Sequence, residues 1–229
     1  MGRMFLATFV TLLLTTEGRA DDYFLTLFTA ESVPFHPEKT HTFVAVTRLP
    51  GDGGMAETHE IGWLAESTRV RGLTLLPERG KNYTTAESIA ICRRERMRVS
   101  VWGPYRIHPE LFGRLRDQAR RLNEGKVLYK GTDNLYPSCV AMNCYHAIWN
   151  VVAPLRKYAG PFNCGDATGP VTLRLFRDWL IGPEQTHDDI LKLIGVDQEP
   201  LVRRGYDERP TRFDAARSFL CQPGCTRGR

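Results

Sequence analysis

Two runs of strand-like residues flanking one strong turn constrain this chain most. His41-Thr42-Phe43-Val44-Ala45-Val46-Thr47-Arg48 is β-branched and aromatic, and so is Thr58-His59-Glu60-Ile61-Gly62-Trp63-Leu64. Such composition suits a strand. Between them lies Pro50-Gly51-Asp52-Gly53-Gly54, a dense cluster of turn formers. The pair predicts an antiparallel hairpin with His41 and His59 on adjacent paired strands, and it gives the two side chains a shared face as the working expectation. Asp22 to Ala30 reads as another strand, Arg98 to Trp102 as one closed by Gly103-Pro104, and Val70 to Leu76 and Val127 to Lys130 as two more.

Helical periodicity fills the gaps. Leu111, Phe112, Leu115, Ala119 and Leu122 share one face of a segment that ends at Gly125, an amphipathic helix with a glycine stop. Thr84 to Arg96 is helical in character, with Thr85 as its expected cap. Asn143 to Val152 reads as a buried helix stopped before Pro154, and Val171 to Ile181 and Asp188 to Ile194 as two further helices. Sheet and helices mix without a repeating unit, so the expected class is α+β, an antiparallel sheet packed against helices.

The amino terminus predicts export. Met1-Gly2-Arg3-Met4 precedes the apolar run Phe5 to Leu14, and Gly18-Arg19-Ala20 places small residues before a cut ahead of Asp21. This is the pattern of a signal peptide, residues 1–20, cleaved after Ala20. The run is shorter than the roughly 20 residues a bilayer requires, and no other stretch qualifies. A secreted or periplasmic protein without a transmembrane segment is expected. Its domain covers 21–205, with a polar tail over 206–229. Removing Arg3, Arg19 and Glu17 from 31 basic and 26 acidic residues leaves 29 and 25, a net charge of +4. The basic residues are scattered, so nucleic-acid binding is not supported, while peripheral contact with an anionic envelope surface is compatible.

Six cysteines, Cys92, Cys139, Cys144, Cys164, Cys221 and Cys225, suggest disulfides in an oxidising compartment. Cys144 has a second reading. Asn143 is a good N-cap residue, and it places Cys144 in the first turn of a helix, where unsatisfied N–H groups and the helix dipole favour a thiolate or a developing oxyanion. A nucleophilic thiol needs a base and a group to orient it. His41 is the candidate base and His59 the candidate orienting residue, bonded to the far nitrogen of the His41 ring. His146 lies on a different helical face and reads as structural. Asn82-Tyr83-Thr84 matches a glycosylation sequon.

A histidine opening a strand, a second on the next strand, and a later Asn143-Cys144-Tyr145-His146 at a helix start resemble the circularly permuted papain-like enzymes. These are the lecithin retinol acyltransferase-like proteins, and the NlpC-type cell-wall amidases share their site in a different chain order. The likeness covers about Asp22 to Val152. The chain departs from the acyltransferase pattern in the 18-residue spacing from His41 to His59 and in Ala147, where an aromatic is usual. The resemblance implies a permuted papain-like fold and a thiol hydrolase or acyltransferase acting on a peptide, cell-wall or lipid substrate, with catalytic Cys144, His41 and His59 and no cofactor. Two alternatives stand beside it. One is a non-catalytic, disulfide-stabilised exported binding domain. The other is a metal site built from His41, His59 and Cys144, although no diagnostic zinc spacing is present.

Overall fold

The computed structural model describes residues 19–70, 76–132, 139–152 and 165–208. The predicted hairpin forms. Strand β2 (Thr40–Leu49) pairs antiparallel with β3 (Glu57–Ala65), in a register that sets Val46 opposite His59 and Val44 opposite Ile61. On its other side β2 pairs with β1 (Asp22–Ser32) without interruption from Asp22↔Leu49 to Glu31↔Thr40. Asp21 fastens the turn, accepting from the Gly51 N–H at 2.9 Å and from Arg48 at 2.7 Å, and those two bonds hold its carboxyl below the usual range.

The sheet extends in both directions. On the β3 side come β4 (Glu78–Tyr83), β6 (Leu128–Tyr129) and β7 (Ala141–Met142). On the β1 side lie β5 (Met97–Ile107) and β8 (Leu180–Ile181), and β9 (Val202–Arg204) joins β5 in parallel. The predicted strand over Arg98 to Trp102 does not stop at Gly103-Pro104. Gly103, at φ +80°, carries the chain through a shift in pairing from Leu27↔Trp102 to Leu25↔Tyr105, an irregularity that a glycine at positive φ permits. Strands β4 and β9 were not expected from their polar sequences. The strand expected over Val70 to Leu76 falls mostly on 71–75, outside the described residues.

Helices cover both faces. Helix α1 (Thr85–Arg94) starts at a capping box in which Thr84, rather than the expected Thr85, is the cap: the Thr84 hydroxyl accepts from the Glu87 N–H, and Glu87 returns to the Thr84 N–H. The hydroxyl oxygen at the cap position is the one that reaches the N3 donor. Helix α1, with α5 (Asp188–Leu193), packs on the face of Phe28, Phe43 and Val101. Helices α2 (Pro109–Asn123), α3 (Cys144–Trp149) and α4 (Thr168–Phe176) pack on the face of Leu25, Leu27, Val44 and Val46. From Phe24 to Glu31 every residue of β1 is buried. The class is therefore mixed α+β, as expected. No described helix is long and apolar enough to cross a membrane. The first three residues of the predicted tail include Tyr206, which sets its ring edge against Tyr105; residues 209–229 lie outside the described ones.

One buried polar network ties distant segments to the sheet. Asp166, in a 3₁₀ turn (Gly165–Ala167) ahead of α4, accepts from Thr29 at 2.9 Å, from Arg98 and Ser100 at 2.9 Å each, and from Arg204 of β9 at 2.7 Å. Its backbone N–H donates to Glu31, which also pairs with Arg98 at 2.6 Å. Removing one partner of a buried, hydrogen-bonded charge set strands the others. Asp166→Ala is expected to destabilise the chain by about 3 kcal/mol in urea unfolding, and a loss under about 1 kcal/mol, the range of a surface pair, would contradict this role.

Candidate functional site

Helix α3 begins as its sequence predicts. Asn143 is extended (φ −89°, ψ −179°), and its side chain accepts from the His146 N–H at 3.0 Å. Cys144 is the first helical residue and is buried. Three side chains fix this short helix in place. Trp63 of β3 donates to the Met142 carbonyl at 3.1 Å, Gln118 of α2 to the Ala147 carbonyl at 3.0 Å, and Trp149 of α3 to Thr172 of α4 at 2.9 Å. The Cys144 side chain is a thiol, and so are those of Cys92 and Cys139. A Cys139–Cys144 bridge is therefore not formed, and Cys164, Cys221 and Cys225 lie outside the described residues.

His41, the second residue of β2, pairs with Ala30 and stacks on Phe43 with ring centroids 5.1 Å apart. It is 1% exposed, and neither ring nitrogen has a hydrogen-bond partner. Burial alone drives its pKa down to about 3, so the ring is neutral at physiological pH. Cys92 of α1 belongs to the same cluster as Phe43 and Ala30. Its thiol is pushed up to about 12, first by burial and then by the nearness of Cys144.

His59 is elsewhere. Its partner across the sheet is Val46, its Nε2 shares a 2.7 Å hydrogen bond with Glu57, and its ring meets Phe112 of α2 edge-on at 5.8 Å. That bond is the main reason the Glu57 carboxyl titrates below its usual range. The expected His41–His59 pair is thus not made. Strand β2 is regular, so residues alternate faces along it. His41 shares a face with Phe43, and His59 shares one with Val46, five residues along β2 from His41. Five is odd, and the two rings stand on opposite sides of the sheet. No hydrogen bond joins Cys144 to His41 either, since both nitrogens of that ring are unengaged.

Nor do His41, His59 and Cys144 form a metal site: among the described residues no group of three or more His, Cys, Asp or Glu side chains is placed to hold an ion. Asn82, read as a sequon, is committed to the fold. It accepts from the Gly62 N–H and donates to the Glu60 carbonyl, both at 2.9 Å.

A cleft of about 630 Å3 reaches His41 from the α1 side, with Leu64, Val70, Ile91 and Met97 among its walls. Its solvent side carries Lys39 and Glu95, which pair at 3.5 Å. No local sequence pattern signals this cleft, because its walls come from three separate segments, 36–41, 64–70 and 91–97. Comparison with known proteins finds no matching family model, no matching curated protein and no matching solved structure.

The state of His41 sets a pH dependence. In the unfolded chain a histidine titrates near 6.5, and in the fold near 3. Between these values the unfolded chain holds more protons, so stability rises with pH; the loss begins as pH falls through the unfolded value and ends near the folded one. His41→Phe keeps the ring volume and removes both unmet nitrogens. It is expected to be at least as stable as wild type at pH 7, with an advantage that grows by about 1.4 kcal/mol per pH unit below 6.5. Parallel stability curves for the two proteins in denaturant titrations from pH 7 to 4 would show that His41 is not buried neutral.

Proposed function

We propose that this chain is an exported thiol hydrolase or acyltransferase acting on an amide or ester, with Cys144 as nucleophile and His41 as proton acceptor. The observation that carries the reading is the condition of His41: neutral, buried and unbonded at both nitrogens, on the strand against which the Cys144 helix packs. A buried polar atom without a partner costs about 1–3 kcal/mol, and such costs are kept where they serve a purpose. His59, tied to Glu57 on the other face, has no part in this chemistry.

In the proposed reaction the Cys144 proton passes to a His41 nitrogen as sulfur attacks the carbonyl carbon. The N–H groups at the start of α3 face the developing oxyanion. The amine or alcohol then leaves with the proton from His41, and an acyl-thioester remains. Water completes a hydrolysis; a second nucleophile completes a transfer. Because His41 is neutral at rest, the resting thiol has no imidazolium partner, and general-base assistance belongs to the attack itself. A cell-wall peptide amide is the first substrate class for a protein with an export signal, and a lipid ester the second. The papain-like arrangement in permuted order belongs to the same proposal.

A non-catalytic exported binding domain is the second reading, favoured by the missing hydrogen bond between Cys144 and His41. Alkylation with iodoacetamide separates the two. Exposed Cys139 serves as the internal reference. At pH 7, His41→Phe is expected to slow labelling of Cys144 relative to Cys139 by about a hundredfold, the low side of a general-base contribution. Equal relative rates in the two proteins would leave the binding reading.

A further inference from the structure

We propose that Cys92 and Cys144 close a disulfide when the chain folds in an oxidising compartment, and that reducing this bond frees the nucleophile. The effect on activity rests on the catalytic reading of Cys144; the bridge itself does not. Helices α1 and α3 both pack on β2. Cys92 lies in the last turn of α1, in one cluster with Ala30 and Phe43, and Cys144 is the first residue of α3. Both are buried thiols. They stand close enough that a charge on Cys144 adds to burial in pushing the Cys92 thiol up to about 12. A single buried cysteine is an ordinary apolar filler. Two thiols that meet from helices far apart in the sequence have a second course open to them, because an oxidising poise favours the bridge over the free pair.

The oxidant is a small-molecule disulfide, RSSR. While both protein thiols are still open to solvent in the folding chain, one of them attacks a sulfur of RSSR. A mixed disulfide forms and the first RS⁻ leaves. The other protein thiol then attacks the protein sulfur of that mixed disulfide. The bond to R breaks, the Cys92–Cys144 bond forms, and the second RS⁻ leaves. Two protein thiols are oxidised, RSSR is reduced to two RSH, and the two thiol protons end on the two leaving groups. Completion of the fold then buries the bond between α1 and α3. In this state Cys144 has no thiol with which to attack a carbonyl. A dithiol reductant returns two electrons and two protons, becomes a cyclic disulfide itself, and restores both cysteines.

The test uses the full chain carrying Cys139→Ser, because no Lys or Arg lies between 131 and 155 and trypsin leaves Cys139 and Cys144 on one peptide. The reduced chain is refolded from urea in a mixture of oxidised and reduced glutathione. Free thiols are then blocked, and the digest is mapped by mass spectrometry without reduction. A Cys92–Cys144 cross-link is expected as the main form of both residues. In the folded, bridged chain iodoacetamide is expected to leave Cys144 unlabelled, and dithiothreitol without denaturant to restore labelling to the level of the reduced chain. Cys92→Ala, which keeps an apolar group in the core, is expected to leave Cys144 as a free thiol or a glutathione adduct. With Cys92 present, Cys144 joined to a different cysteine, both thiols unbridged after refolding, or a bridge that dithiothreitol opens only in urea would each overturn the proposal. The His41→Phe labelling comparison contains no oxidant, so failure of the catalytic reading appears there and failure of this one in the disulfide map.

Discussion

The structure rests on two central strands, β1 and β2, buried on both faces. Alternate residues of a strand point to opposite sides of the sheet, so each strand feeds two separate cores. Leu25, Leu27, Val44 and Val46 serve the larger one with α2, α3 and α4; Phe28, Ala30 and Phe43 serve the smaller one with α1. Every question about the site reduces to which of these faces a residue joins. His41 joins the α1 face; the body of α3 packs with the other, while its leading residue, Cys144, lies near Cys92 of the α1 cluster.

That parity explains what the sequence revealed and what it concealed. The hairpin was legible, because Pro50-Gly51-Asp52-Gly53-Gly54 interrupts two β-rich runs. Its register was not. A one-residue change in pairing moves every side chain of a strand to the opposite face, and the residues between β2 and β3 fit more than one turn. Polar and apolar alternation normally reveals the inward face, but a strand covered on both sides has no polar face to read. His41-Thr42-Phe43-Val44 therefore gave no sign of direction, and the shared face assumed for His41 and His59 was a choice between two registers. The start of α3 was legible for the opposite reason: an N-cap is a local hydrogen bond, formed between Asn143 and His146 three residues on. Strand β4 was hidden by its composition, Glu78-Arg79-Gly80-Lys81-Asn82-Tyr83, since its exposed positions carry charge. The Asp166 network joins residues 31, 98, 166 and 204, and no local pattern could have linked them.

The interior thus holds polar groups of two kinds. Asp166 is saturated: hydroxyls and guanidinium groups surround it, and it fastens α4 and β9 to the sheet. His41 is the reverse, a neutral ring with nothing bonded to either nitrogen. A fold that satisfies one buried acid so fully yet leaves one buried base unmet is following different requirements at the two places. Packing explains the first. The second is the feature on which the proposed chemistry rests.

Nitrogen-15 NMR of the histidine rings, recorded through an acid titration, tests this account most directly. The ring shifts of His41 are expected to remain those of a neutral imidazole from pH 7 down to about pH 4, given its folded value of about 3. A His41 signal that moves to the imidazolium position near pH 6.5, the value of a solvated ring, would mean that the ring is not held neutral in the interior, and the functional reading built on it would be contradicted.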